Sequence, residues 1–570
     1  MEKIWRIKQK YNPQILQKLG GQLGFQHPIF VPILANRGIR NQSELKAFLD
    51  SSEDDLHEPL QMQDMGHAVC RIVHAINKGE KVVIYGDYDV DGTTSVALVY
   101  RFLKPHLPHI EFYVPDRHKE GYGISAQSIQ HVISEKVDLV IALDCGIRSV
   151  DLIQRAKDAG VDFIVCDHHL PGDTLPPAVA VLDPKRSDCT YPFKELSGCG
   201  IGFKLCQAIE NQIGASNVEV MDLIDLAAIS IVSDLVELTG ENRILVKLGL
   251  QKLRTNPLLG LKIIMEKAID REWLDVEEIL FMIGPRINAA GRLASANAAV
   301  DLLLAESEEE AQDFTQILNG LNSERRVKDQ NTTKQALAQI ETDPHFAKAK
   351  STVVFQADWH KGVIGIVASR LQETHFRPTI VLTESEGKIT GSARSIENFN
   401  IHEALKACSE YLIQFGGHKY AAGMTLAREN VADFKAAFDK IAQRELSDDD
   451  LVPKLDYDCE LDWRKIDLAF LDRIKKFGPF GPGNMQPMFV SRSVKDSGYA
   501  RTLGAGGDHL KINLWDSEKS MAIEGIGFNL GHHYPAISEG NAFDLLYTIE
   551  ENHFRGNTTI QLNIKDVRPL

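Results

Sequence analysis

From residue 81 onward the chain alternates short apolar, β-rich runs with segments whose apolar residues recur at helical spacing. That alternation predicts an α/β domain built on a parallel sheet. The runs are KVVIY at 81–85, VDLVIAL at 137–143 and VDFIVC at 161–166. Gly86 breaks the first, and TTSVALVYRFL soon after it reads as a buried helix capped by Thr93 or Thr94. Between the second and third, SVDLIQRAKDAG reads as a helix running from a cap at Ser149 to a stop at Gly160. A fourth apolar run, LAAISIVSDLVEL at 226–238, has a pattern compatible with strand or helix.

The flanking segments divide the rest. Residues 1–80 read as a mostly helical lead-in, with SSEDDLHE at 51–58 as a loop and no chemistry. The α/β domain spans 81–305, and the polar, Glu-rich stretch 306–342 reads as a long exposed helix bridging two domains. An ordinary surface helix would have much the same sequence. Residues 343–445 read as a second α/β domain. After the acidic break LSDDDLVPK, residues 454–570 carry short β-like runs between Gly-rich turns, which suggests a small barrel.

The runs have one property in common, the residues that follow them. Asp87, Asp89 and Asp91 follow the first, Asp144 and Gly146 the second, Asp167, His168 and His169 the third, and Asp234 the fourth. In open α/β sheets ligands bind outside the carboxyl ends of the strands. Alternate residues of an extended backbone share a face, so Asp87, Asp89 and Asp91 could converge on one point. Neighbouring carboxylates repel unless a cation sits among them, and oxygen donors suit a hard divalent ion. A calcium loop of the EF-hand type is excluded, because its twelfth position is Leu98 instead of Glu and a strand precedes it. Each residue alone has a plainer reading: a solvated acidic turn, a turn aspartate before glycine, a hydrogen-bonded histidine. Their recurrence at successive run ends favours a shared site. Mixed imidazole and carboxylate ligands favour manganese, or magnesium with fewer nitrogen donors.

Composition bounds the class. The 570 residues are 44% hydrophobic with mean hydropathy −0.18, enough for several buried cores. No run approaches the roughly 20 apolar residues of a membrane helix, and MEKIWRIKQKYN lacks an apolar signal core. Eight cysteines are scattered without CxxC or zinc spacing, so a cytoplasmic protein is expected. A formal net charge of −16 excludes a wholly basic nucleic-acid binder, though not a local basic groove.

GDYDVDG, LDCG, the DHH triplet at 167–169 and VSDLVEL resemble the four motifs of the DHH phosphoesterase superfamily. Within it the chain is similar to the RecJ exonucleases, which are specific for single-stranded DNA. The resemblance continues through RHKEGYG (117–123), GPRINAAGRL (284–293), WHKGVIGIVASRL (359–371), GSARS (391–395), FGGHKYAAG (415–423) and PFGPGNMQPMF (479–489). The departures are mild: Met485 stands where the family often has proline.

The resemblance implies a DHH catalytic domain, a DHH-associated domain presenting a phosphate-binding wall, and an OB-type barrel for single strands. It implies one or two Mn2+ or Mg2+ ions held by Asp89, Asp91, Asp144, His168 and Asp234, with Asp87 a further ligand or a group orienting one. His169 would contact the scissile phosphate, and Arg117, Arg292, Ser392 and Arg394 would grip the 5′-phosphate end. His418 is a second candidate on that wall, its plain alternative being a core histidine beside a tight Gly-Gly turn. Arg286, in the same motif as Arg292, would be a further member of that set. On the barrel, Tyr499, Arg501, Lys511 and Trp515 are candidates for strand contact, with core packing the expected fate of Trp515. The implied activity is 5′-to-3′ removal of mononucleotides from single-stranded DNA in repair and recombination, by a monomer working with a single-strand-binding protein and a helicase. A small-substrate phosphodiesterase and a non-catalytic scaffold are the rival readings. The barrel-like region argues against the first and the complete ligand set against the second.

Overall fold

The computed structural model describes residues 3–24, 28–117, 119–214, 218–266, 269, 274–518, 521–554 and 557–570; His118 of the RHKEGYG motif lies outside them. The first α/β region is built on a five-stranded parallel sheet in the order His109–Tyr113, Lys81–Gly86, Leu139–Leu143, Asp162–Cys166, Ala180–Leu182. The strand Leu139–Leu143 is buried throughout, as expected when helices cover both faces of a parallel sheet. Ile84, Ile141 and Ile164 pack one face against the helices Val90–Leu103, Gly198–Ile213 and Ile224–Ser233. Val83, Val140 and Val165 pack the other against Ala126–Ser134 and Val150–Asp158. The chain leaves Lys81–Gly86 for one side of the sheet and returns to its other side at Leu139–Leu143. A crevice opens where strand order reverses, so the residues after Gly86 and Leu143 face each other there.

One local expectation changes, and one open reading closes. The helix after GDYDVDG starts at Val90, and its cap is Asp89, whose carboxylate accepts from the Gly92 amide at 3.1 Å. Thr93 and Thr94 lie inside the helix and turn their hydroxyls back to the Asp89 and Val90 carbonyls. Asp87, Asp89 and Asp91 therefore converge across a strand-to-helix turn and not along an extended segment. The fourth apolar run is a helix, Ile224–Ser233, with Asp234 as its C-cap.

The linking helix is Glu308–Thr342, capped by Ser307 with Glu310, and at 35 residues it is about 50 Å long. It leads to a mixed five-stranded sheet in the order Leu412–Gly417, Ala421–Leu426, Lys388–Arg394, Thr379–Ser385, Thr352–Phe355. Ile364–His375, Ile401–Ala407 and Val431–Glu445 are the helices of this unit.

The C-terminal region forms a seven-stranded sheet curled around Leu510, Ile512, Leu545 and Leu562. Its strand His509–Asp516 alternates strictly, with Leu510, Ile512 and Leu514 inward. Trp515 falls on the outer face, 51% exposed, against the expectation of core packing. Tyr499 and Arg501 are also exposed, and Lys511 is half-buried with its Nζ 2.7 Å from Glu524.

Residues 1–80 divide between two cores. The strand Ile4–Ile7 pairs in parallel with Lys454–Tyr457. Leu19, Phe30 and Leu34 pack into the barrel's core, the Phe30 ring 4.8 Å from that of Phe470. The helix Met65–Lys78 instead buries Met65 and Ile72 in the core of the parallel-sheet region. Where these parts meet, the Arg243 guanidinium donates to the carbonyls of Phe48, Phe477 and Gly478. The Leu238 amide, just beyond Asp234, donates to Pro482 O at 2.6 Å.

Candidate metal centre

The acids and histidines predicted from separate run ends meet in one place. His168 Nε2 lies 3.2 Å from Asp144 Oδ1, 3.6 Å from Asp91 Oδ2 and 3.6 Å from Asp234 Oδ2. Asp87, Asp89 and Asp144 bring ligand atoms within 4.8 Å of one another, as do Asp91, His168 and Asp234. Asp144 reaches the cluster from a left-handed backbone (φ 59°) just past its strand, a conformation that costs a non-glycine residue energy and tends to persist at functional sites.

Asp91 is the most firmly held of the set. Its Oδ2 accepts from the Gly198 amide at 2.7 Å, and its Oδ1 from the Cys199 amide at 2.8 Å and the Ser230 hydroxyl at 2.6 Å. Two of these donors open the helix Gly198–Ile213, whose N-terminus favours a negative charge. Gly198 has to be glycine for this approach, because a Cβ there would sit 2.7 Å from Asp144 Cβ.

Electrostatics argue for a cation. Burial and the neighbouring carboxylates push Asp87, Asp144 and Asp234 well above the usual carboxylate range, and Asp89 upward by the same causes. Asp87 Oδ2 is buried without a hydrogen-bond partner, and Asp144 Oδ1 meets His168 outside hydrogen-bond geometry. Burial lowers the His168 imidazole, keeping it neutral and free to ligate. Carboxylate oxygens with one neutral imidazole fit Mn2+ or Mg2+.

His169 differs from its neighbour. Its Nδ1 donates to Asp167 Oδ1 at 2.7 Å, and Tyr122 Oη lies 3.1 Å from its Nε2. Burial alone would lower this imidazole, but the Asp167 bond and charge raise it to about 9. Asp167 also accepts from the amides of Ile147, His168 and His169. It is therefore an orienting group. Burial acts to raise its carboxyl, and the His169 bond outweighs that and holds it below the usual range.

Beside the acids stands a group of arginines. Burial, then the charges of Arg117 and Arg325, bring Arg292 down to about 10, while Asp89 acts in the opposite sense. Burial and Arg117 also lower Arg394, whose guanidinium donates to Ser392 Oγ and Ser369 Oγ, both at 3.1 Å. Arg117 stacks over the Tyr88 ring at 5.1 Å. Guanidiniums lowered by one another are poised for an anion. Arg286 stands apart, donating to Asn319 Oδ1 at 2.9 Å and to the Met282 carbonyl. His418 is exposed on the hairpin between Leu412–Gly417 and Ala421–Leu426, not packed in a core. Burial lowers it first, then the charges of Arg148 and His169, which belong to the parallel-sheet region. Sequence reading assigned no role to Asp167, Tyr122, Ser230 or Arg325. The first two lie inside quoted motifs and Ser230 inside the quoted run at 226–238, a polar residue between isoleucines, whereas nothing in sequence marks Arg325.

Family profiles match along the chain: the DHH family N-terminal domain at 81–231, the DHHA1 domain at 348–444 and the RecJ OB domain at 457–566. The single-stranded-DNA-specific exonuclease RecJ of Bacillus subtilis is 36% identical over 543 residues, covering 95% of this chain and 68% of that protein. The Haemophilus influenzae RecJ is 33% identical over 563 residues, covering 95% and 96%. The crystal structure of Thermus thermophilus RecJ in complex with Mn2+ superposes with a TM-score of 0.82 at 28% identity, over 99% of this chain and 79% of that one. A second Thermus thermophilus RecJ structure contains Mg2+. With three matching domains in order and relatives aligned over nearly its whole length, the chain belongs to the RecJ family of single-stranded-DNA-specific exonucleases.

Proposed function

We propose that the Asp/His cluster is the hydrolytic centre of a divalent-metal-dependent exonuclease that removes 5′-mononucleotides from single-stranded DNA in the 5′-to-3′ direction. One juxtaposition carries the reading: a buried group of carboxylates in want of a cation lies beside arginines in want of an anion. A phosphodiester bridged to a terminal phosphate satisfies both.

In this reading Asp89, Asp91, Asp144, His168 and Asp234 hold one or two Mn2+ or Mg2+ ions, and Asp87 completes or orients the set. The ions supply, when bound, a Lewis-acidic grip on phosphate oxygen and a water acidic enough to attack at neutral pH. His169, kept positive by Asp167 and steadied by Tyr122, donates to a non-bridging oxygen of the scissile phosphate. Arg117, Arg292, Arg394 and Ser392 seat the 5′-terminal phosphate, which fixes the cut one nucleotide in. His418 closes the phosphate-binding wall from the second α/β unit.

Residues 81–305 are the catalytic unit, 343–445 the phosphate wall and 454–570 the strand-binding barrel. No helix of the described residues is long and apolar enough to cross a membrane. The same reading makes the protein a cytoplasmic monomer in repair and recombination, supplied with strands by a helicase and a single-strand-binding protein.

The test is Mn2+-dependent release of nucleotides from a long 5′-phosphorylated single strand, compared with a dinucleotide. Wild type should prefer the long strand, and Asp144→Ala and His168→Ala should abolish release while remaining folded. Equal turnover of both substrates, or activity retained in both variants, would refute the proposal.

A further inference from the structure

We infer that Ser230 is a positioning residue that locks two metal-holding carboxylates, Asp91 and Asp234, into one register. The inference rests on the reading of this cluster as a metal site and adds a residue outside the ligand set.

Ser230 lies in the helix Ile224–Ser233, between Ile229 and Ile231, and every residue from Ile224 to Val232 is buried. A hydroxyl in such surroundings is costly unless its hydrogen bonds are made. Here they are made, and their directions follow from chemistry. Ser230 Oγ lies 2.6 Å from Asp91 Oδ1, and an ionised carboxylate only accepts, so Ser230 donates its single proton there. Ser197 Oγ, 2.6 Å from Ser230 Oγ, is then the donor of that pair. Ser197 Oγ in turn accepts from the Gly200 amide at 3.1 Å. The result is a one-way relay from a helix N-terminus through two hydroxyls to Asp91.

The backbone of the same residue serves the second carboxylate. Ser230 O accepts from the Asp234 amide at 2.9 Å, which sets Asp234 one helical turn further along. The Ser230 side chain thus fixes Asp91 while its carbonyl fixes the base of Asp234, and the two carboxylates converge on His168 Nε2 at 3.6 Å each. Without the hydroxyl, Asp91 Oδ1 keeps only the Cys199 amide and the carboxylate is freer to turn. Partners behind metal ligands typically contribute 10–100-fold in metal affinity.

The measurement is Mn2+ binding to the full chain, followed by loss of the free-ion electron paramagnetic resonance signal. It is run on wild type, Ser230→Ala, the near-isosteric weak donor Ser230→Cys, and Asp144→Ala. Affinity for a single strand in EDTA and thermal stability in EDTA are measured alongside. Ser230→Ala should weaken Mn2+ binding by about 10–100-fold and Ser230→Cys by less, with strand affinity close to wild type and melting temperature only modestly lowered by the Ser197 hydroxyl left without its acceptor. Wild-type Mn2+ affinity in both serine variants, with binding lost in Asp144→Ala, would overturn the inference and leave the metal site standing. Wild-type affinity in Asp144→Ala as well would remove the metal site itself, and this inference with it.

Discussion

His169 gives its Nδ1 to Asp167 at 2.7 Å, while the adjacent His168 turns its Nε2 to Asp144 at 3.2 Å. Asp167 thereby keeps one imidazole a positive donor, while burial keeps its neighbour a neutral ligand. Asp167→Asn should lower kcat/KM by about one to two decades, as is typical when the partner behind an active-site histidine is lost. Mn2+ affinity should hardly change. A variant that loses Mn2+ as fully as Asp144→Ala would mean that Asp167 supports the metal directly.

The arginine group separates end recognition from general attraction. Arg394 binds Ser392 and is lowered by burial and Arg117, so it is poised for a dianionic terminal phosphate. Losing a hydrogen bond to a charged group costs about 1.5–3 kcal/mol. Arg394→Ala should therefore slow cleavage of 5′-phosphorylated strands by about one to two decades and narrow their advantage over 5′-hydroxyl strands. Initial rates on matched strands decide the matter; an equal loss on both would assign Arg394 to general electrostatics.

Trp515 offers a sharp contrast between surface and core. A core tryptophan cut to alanine costs about 3–5 kcal/mol of stability, whereas a base stacked on an exposed ring is worth about 1–3 kcal/mol of binding. With half of Trp515 exposed, Trp515→Ala should leave the melting temperature nearly unchanged and weaken binding of long single strands by at least several-fold. Calorimetry and strand titration together separate the two; a large drop in melting temperature with unchanged binding would put the ring's role inside the fold.

Asp183, just past the strand Ala180–Leu182, is buried, with Oδ1 taking the Lys185 amide at 2.7 Å and Oδ2 unpartnered. Burial pushes its carboxyl up to about 7, with Asp167 adding to the rise and Lys185 and His169 opposing it. Between its usual range near 3.8 and about 7, the unfolded chain sheds a proton that the folded one keeps. Stability linked to Asp183 is thus present below the lower value and lost as pH rises through the upper one. Asp183→Asn should remove that slope, gaining on wild type by on the order of 4 kcal/mol between pH 4 and pH 8. Denaturant melts across that range test it; a difference independent of pH would show that Asp183 does not titrate there.

Much of this was readable from one sequence because parallel strands carry their carboxyl ends to one edge. Asp87, Asp144 and His168 had to meet once the runs before them were strands. The 306–342 stretch became Glu308–Thr342 because no proline interrupts it and the single Gly320 is tolerated within so long a helix. Other features were ambiguous for physical reasons. Asp89, Thr93 and Thr94 are all good caps, and only the position of the turn selects Asp89. Period-2 alternation through Leu510, Ile512 and Leu514 already put Trp515 outward, yet its apolar ring suggested burial. The run at 226–238 was apolar on all sides, so it had no period to read. Hydrophobic spacing also reveals which face of a helix is buried but not against what. That is why Phe30 and Met65, close in sequence, could not be seen to enter different cores.

That division has a consequence for how the chain comes together as it is made. The catalytic core draws on buried residues from Met62 to Leu318 and can close once those have left the ribosome. Leu19, Phe30 and Leu34 must wait for Leu545, Leu562 and Ile564, a delay on the order of half a minute to two minutes at usual synthesis rates. These helices are thus made long before the neighbours they pack against. During that interval they are the stretch a chaperone has most reason to hold.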